Sequence, residues 1–213
     1  MQNSLDNIYQ RVIEYFSEHN PDAVSELHYQ NPFQLIVAVV LSAQCTDKRV
    51  NMVTPAIFAQ YPMPELMAKA SVEDIFQLIK SVSYPNNKAK HLHGLSKMLA
   101  EKFAGIVPQN REDLESLPGV GRKSANVILS VCFDYPAMAV DTHVFRVANR
   151  IGLVRNAKTP LEVEKQLTAH FPKELIPRAH HWLILHGRYV CLARKPQCEK
   201  CGLTGVCAYF QLL

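Results

Sequence analysis

Four cysteines near the C-terminal end, Cys191, Cys198, Cys201 and Cys207, stand in a C-x6-C-x2-C-x5-C array. Thiolates grouped so closely in sequence can surround one centre, and all-thiolate sets favour a metal ion or an iron–sulfur cluster. A disulfide framework suits short secreted chains with little core, whereas this chain has 213 residues, 48% of them hydrophobic. Structural zinc usually takes two short C-x2–4-C knuckles, and here only Cys198 and Cys201 form one. The spacing therefore favours iron–sulfur and leaves zinc open. Cys45 and Cys132 lie in apolar stretches and read as inert buried thiols.

A second group with chemical potential lies upstream, in Leu114-Glu115-Ser116-Leu117-Pro118-Gly119-Val120-Gly121-Arg122-Lys123-Ser124-Ala125-Asn126. It reads as a helix end, a glycine-rich turn and a new helix, that is, a helix-hairpin-helix. Gly119 and Gly121, flanking Val120, allow a tight turn whose backbone N–H groups point outward together, and the next helix adds its unpaired first-turn N–H groups and positive dipole end. Phosphate fits such a place, and backbone contacts to phosphate carry no sequence information. An isolated G-x-G is an ordinary interhelical turn; the flanking Leu-Pro and Arg-Lys make this one more specific.

Lys123 falls in the first turn of that helix, where the dipole disfavours a cation. It is either a solvated surface residue or an amine whose neutral form is useful. A lysine with its ordinary pKa of about 10.4 needs roughly 4 kcal/mol to lose its proton at cellular pH, and a helix dipole supplies at most about 2 kcal/mol. A working nucleophile here would also need desolvation or a nearby base. Asp141, in Val140-Asp141-Thr142-His143-Val144-Phe145-Arg146-Val147, precedes a helical pattern and is placed to cap it; the same carboxylate could face a substrate or Lys123.

The elements that must position these groups are helical nearly throughout. Apolar residues recur at helical spacing over residues 5–18, 32–44, 47–60, 72–81, 86–104, 111–116, 122–133, 142–151, 160–169 and 178–189, and no strand pattern competes. Pro62 with Pro64, Pro85-Asn86-Asn87, Pro108, Pro118-Gly119, Asp134-Tyr135-Pro136 and Pro172 punctuate the segments. The connections are short, as packed helices require, and the best boundary lies near Tyr135-Pro136. The opening MQNSLDNIYQRVIEYFSEHN sets Asp6 and Glu14 in an amphipathic helical pattern, not a signal peptide, so a reducing cytoplasm is the expected compartment. The longest apolar run, Pro32 to Cys45, is shorter than the roughly 20 residues of a membrane span and reads as a buried helix. A net charge of +4 permits a polyanionic partner without establishing one. His143, His180, His181 and His186 could suggest a second metal site, but His181-Trp182 and Leu183 to Leu185 look like a packed helix.

LPGVGRKSAN, then VDTHVFRVANR, then HHWLILHGRYVC followed by the cysteine array, together with LSAQCTD near the start, resemble the endonuclease III family in order and spacing. The similarity runs from about Pro32 to the array. It implies an all-α fold of two helical lobes flanking a DNA-binding cleft: a helical barrel with the hairpin over residues 25–135, and an iron–sulfur cluster lobe from residues 1–24 and 136–213. It implies a bifunctional DNA glycosylase and apurinic/apyrimidinic lyase of base-excision repair, removing oxidised pyrimidines from duplex DNA and cleaving the strand. It also implies Lys123 as the Schiff-base nucleophile, Asp141 as the catalytic carboxylate, and a [4Fe-4S] cluster on Cys191, Cys198, Cys201 and Cys207. The family position that fills the space left by the extruded nucleotide falls on Gln44; opposite it the family commonly has Gly-Leu-Tyr before Asn, whereas this chain has Ser83-Tyr84-Pro85-Asn86. Tyr84 can stack there as a wedge, or form a plain turn with a buried ring. Arg194 and Lys195, in the first cysteine loop, and Arg188 before it, are expected phosphate contacts, as are Gly119, Val120, Gly121 and Arg122 of the hairpin. A monomer in the bacterial cytoplasm or nucleoid is expected, with no membrane association. Two alternatives remain: an adenine-mismatch glycosylase of the same superfamily, which typically lacks the lysine and carries a further C-terminal domain, and a non-catalytic helix-hairpin-helix DNA-binding module.

Overall fold

The computed structural model describes residues 4–213, so the first three residues of the expected 1–24 segment lie outside the described residues. Among the described residues the structure is all-α. Its helices are α1 (Leu5–His19), α2 (Pro32–Ser42), α3 (Asp47–Gln60), α4 (Pro64–Lys69), α5 (Val72–Ile79), α6 (Pro85–Lys102), α7 (Arg111–Ser116), α8 (Arg122–Phe133), α9 (Thr142–Ile151), α10 (Pro160–His170) and α11 (Ile176–Tyr189). Side-chain caps start most of them: Ser4, Asn31, Thr46, Ser71, Asn110, Asp141 and Thr159 each accept a backbone N–H from the first turn of their helix.

Four departures from the sequence reading have local causes. Pro64 opens the short helix α4 where the pair Pro62 and Pro64 suggested only a turn, because proline suits the first helical turn, whose N–H groups lack partners in any case. Pro85 starts α6 for the same reason, and Pro177 lies in the first turn of α11, which begins at Ile176 and not at residue 178. The pattern read over 32–44 stops at Ser42, because Gln44 takes a left-handed backbone with φ 52°.

The chain divides into two compact units: the N-terminal segment to Val24 with Asp134–Leu213, and Ser25–Phe133. In the 25–133 unit α2 is the central element. Leu35, Ile36, Val37, Ala38 and Leu41 are fully buried, and the helix packs on α3, α6 and α8. An eleven-residue helix that is apolar all round belongs inside, which is why the Pro32 to Cys45 run is neither a surface helix nor a membrane span. Among the described residues no helix is long and apolar enough to cross a membrane. Leu92, Leu95 and Leu99 of α6 and Ile75 and Ile79 of α5 complete that core. In the other unit Trp182 of α11 is wholly buried, stacks on Phe16 of α1 at 5.8 Å between ring centroids, and donates its indole N–H to the Asn20 carbonyl at 2.8 Å. Val144, Val147 and Ile151 of α9 join this core, and Cys191, Cys201 and Cys207 pack against its margin.

Candidate active site and thiolate pocket

The hairpin is built by α7, the turn 117–121 and α8. Leu117 and Val120 are buried and anchor the turn, and Val120 N–H donates to the Leu117 carbonyl at 3.0 Å. Beneath it lies α6. Pro118 packs over Gly94, where an added Cβ would stand 3.2 Å from Pro118 Cγ. Gly119 has φ +83°, and an added Cβ there would stand 2.9 Å from His91 Cβ, so the position needs glycine for both conformation and space. Gly121 differs: nothing lies within 4 Å of an added Cβ. The open side of the turn is thus at Gly121, where α8 begins. The first bond of the α8 ladder runs from Ala125 N–H to the Gly121 carbonyl at 2.9 Å, so the N–H groups of Arg122, Lys123 and Ser124 precede it. Arg122 and Lys123 are exposed on that first turn. Arg111 Nε donates to Oδ1 of the buried Asn126 at 3.1 Å and ties α7 to α8.

Asp141 caps α9. Its Oδ1 accepts from His143 N–H and Val144 N–H, both at 2.8 Å, so that among the described residues Oδ2 has no hydrogen-bond partner. The carboxylate is therefore oriented by its own helix while one oxygen stays available. Lys123 belongs to the 25–133 unit and Asp141 to the other.

Gln44 and Tyr84 share a third feature of the 25–133 unit. Both are exposed, with left-handed backbones at φ 52° and 54°, and Tyr84 is 63% exposed, which excludes the buried-ring alternative. Ser83 Oγ donates to the Gln44 carbonyl at 2.8 Å and joins the two loops.

The four cysteines of the array line one largely apolar pocket with Ile151, His186, Val190 and Pro196. Burial pushes the Cys201 thiol up, and the neighbouring Cys207, Cys191 and Cys198 push it further, with the Leu203 backbone opposing. Cys207 is raised by burial and, secondarily, by Cys191 and Cys198, against hydrogen bonds from the Phe210 and Tyr209 backbone. Such thiols ionise together only against a cationic centre. Among the described residues no group of three or more His, Cys, Asp and Glu is disposed to hold a metal ion. His181 and His186 are pushed down to about 4, each chiefly by burial, with Arg188 adding to the effect on His181. Arg194 and Lys195 are exposed in the 191–198 loop, and Lys195 has φ 51°; Arg188 is half-buried in the last turn of α11.

Two arginines that the sequence reading passed over organise this loop. Arg150 donates to the Leu192 carbonyl at 2.7 Å, the Ala193 carbonyl at 3.0 Å and Cys191 Sγ at 3.5 Å, with its guanidinium 4.6 Å from the Tyr209 ring centroid. Arg146, one turn earlier on α9, donates to the Cys191 carbonyl at 3.1 Å and the Gly187 carbonyl at 2.8 Å. The available signal was two arginines four apart on one helix, ahead of a cysteine loop.

Residues 37–173, which include the hairpin, Lys123 and Asp141, match the HhH-GPD superfamily base excision DNA repair proteins. The chain belongs to that superfamily. Among its relatives, Endonuclease III of Rickettsia conorii is 48% identical over 95% of this chain and 96% of its own, and Endonuclease III of Bacillus subtilis is 50% identical over 88% and 85%. A solved structure of a trapped Endonuclease III–DNA covalent intermediate superposes with a TM-score of 0.92 at 44% identity, covering 99% of this chain and 98% of that one. This HhH-GPD protein is a base-excision DNA glycosylase with apurinic/apyrimidinic lyase activity.

Proposed function

We propose that the chain removes oxidised pyrimidines from duplex DNA through an amine on the hairpin helix and then nicks the strand. The observation that carries this reading is Lys123, exposed in the first turn of α8 beside the open face of the turn at Gly121. A phosphate seated on Gly119, Val120, Gly121 and Arg122 would bring the sugar of the lesion toward this amine. Target bases lie within the stack, so the nucleotide must first turn out, with Gln44 and Tyr84 entering the space it leaves. Lys123 Nζ gives its lone pair to C1′ as the glycosidic bond breaks and the base departs with the bonding electrons and a proton. Ring opening yields a Schiff base, and loss of the C2′ proton expels the 3′ phosphate, which cleaves the strand. Asp141 has a free Oδ2 that can take the proton of the amine or face the positive charge developing on the sugar.

The pocket walled by Cys191, Cys198, Cys201 and Cys207 suits a [4Fe-4S] cluster: four sulfurs lining one largely apolar pocket, with an arginine donating to one of them. Bound there, the group supplies a structural centre for the loop, while Arg194 and Lys195 reach phosphate. The 25–133 unit then serves as the helical-barrel lobe and the other as the cluster lobe of a monomer acting in the bacterial cytoplasm or nucleoid.

Borohydride trapping on a duplex with one oxidised pyrimidine tests the nucleophile. Wild type forms a covalent adduct and Lys123→Ala does not; undiminished strand cleavage by that variant would overturn the assignment. Iron and sulfide in equal, fourfold amounts are expected for the cluster, and stoichiometric zinc without iron would overturn it.

A further inference from the structure

Lys88, on the second turn of α6, is only 4% exposed and has no part in the chemistry above. Its Nζ donates to the Ala43 carbonyl at 2.7 Å, the Leu41 carbonyl at 2.8 Å and Ser83 Oγ at 3.2 Å, which matches the three protons of an ammonium. Burial lowers its pKa, and the nearby Cys45 thiol acts in the opposite direction. Burying an ammonium against neutral oxygens is expensive, and a methionine or leucine would fill the volume without that expense.

The placement of those oxygens shows what the ammonium accomplishes. Leu41 and Ala43 end α2 and lead into Gln44; Ser83 precedes Tyr84 and α6. The cation thus neutralises the negative end of α2 and clasps the two loops whose tips are Gln44 and Tyr84. Ser83 extends the clasp, accepting from Lys88 and donating to the Gln44 carbonyl at 2.8 Å. The Lys88 backbone N–H adds a bond to the Tyr84 carbonyl at 3.2 Å. Both tips hold left-handed backbones that a glutamine and a tyrosine rarely adopt. Strain of this kind persists only where the surroundings over-determine it.

We propose that Lys88 is a positioning residue for nucleotide extrusion: through Ser83 and the α2 carbonyls it holds Gln44 and Tyr84 outward as a preformed pair that enters the duplex. The proposal rests on the reading of Gln44 and Tyr84 as the groups that fill the gap. An ammonium that must order both loops before insertion affects the extrusion step and leaves the later amine chemistry alone.

The test uses full-length Lys88→Met and Ser83→Ala on two substrates. One is a duplex with 2-aminopurine beside the lesion, whose fluorescence rises as the base stack opens; the other is a single-stranded oligonucleotide with an abasic site, which needs no extrusion. Lys88→Met is expected to slow the fluorescence rise about tenfold or more and Ser83→Ala by a smaller factor, as loss of a charged and a neutral hydrogen bond implies. Single-strand cleavage is expected to stay within about twofold of wild type, the range of an ordinary surface change. Normal fluorescence kinetics in both variants overturn the proposal. Should Lys88→Met lose single-strand cleavage as well, Ser83→Ala decides alone: a slowed rise supports the clasp, and an unchanged one overturns it. Gln44→Ala with Tyr84→Ala separates the two claims, because an unchanged fluorescence rise there removes the gap-filling reading itself.

Discussion

Replacing Gly119 by alanine should damage the hairpin far more than the same change at Gly121, two residues away. At Gly119 the backbone has φ +83°, and a new methyl would meet His91 at 2.9 Å to Cβ and 3.0 Å to both Cγ and Nδ1. A left-handed backbone on a non-glycine residue costs about 1–2 kcal/mol. Overpacking costs about 1–3 kcal/mol, and the contact is with the root of the histidine side chain, which cannot swing clear as a flexible tip could. The sum is about 2–5 kcal/mol, against near neutrality at Gly121, where an added Cβ meets nothing within 4 Å. Urea denaturation followed by circular dichroism measures the stability change, and fluorescence anisotropy with an abasic duplex measures the grip on phosphate. A double-mutant cycle with His91→Gly isolates the steric part, with an expected coupling of about 1–3 kcal/mol. Gly119→Ala within about 0.5 kcal/mol of wild type, or an equal loss at Gly121, would refute the reasoning.

Acid should weaken the fold through His181. Its folded pKa is about 4 against an ordinary 6.5, so between those values the unfolded chain takes up a proton that the folded chain does not. The part contributed by His181 is full above pH 6.5 and is lost as pH drops toward 4, by at most about 3 kcal/mol; in His181→Gln the total fall should shrink accordingly, and an unaltered pH profile of urea midpoints would count against it. Arg150→Met removes two hydrogen bonds to the Leu192 and Ala193 carbonyls and the contact with Cys191 Sγ. With charge-assisted bonds worth about 1.5–3 kcal/mol each, the loop should open more often and iron should be lost to a chelator about tenfold faster or more; an unchanged release rate would show that Arg150 does not hold the loop.

What the chain declares in its order of residues is local. Asp141 ahead of an apolar helical pattern is a cap whatever packs around it, because the bonds it accepts come from residues two and three places on. The hairpin is legible because Gly119 is required by a five-residue turn, and the cysteine array because its members lie within seventeen consecutive positions. The helix pattern departs from the structure where propensity and punctuation conflict, as at Pro64, which opens a helix where only a turn was expected, and where a backbone turns left-handed, as at Gln44. The tertiary structure decided the rest. Lys88 has the sequence context of a solvated helix lysine, and its burial follows from α2 and α6 meeting across 45 to 47 residues. Arg150 reaches carbonyls 42 and 43 residues away, and Ser83 finds Gln44 at a separation of 39. Periodicity tells which face of a helix is apolar and says nothing about which distant carbonyls a cation on its margin will meet; only the packing of the helices fixes those partners.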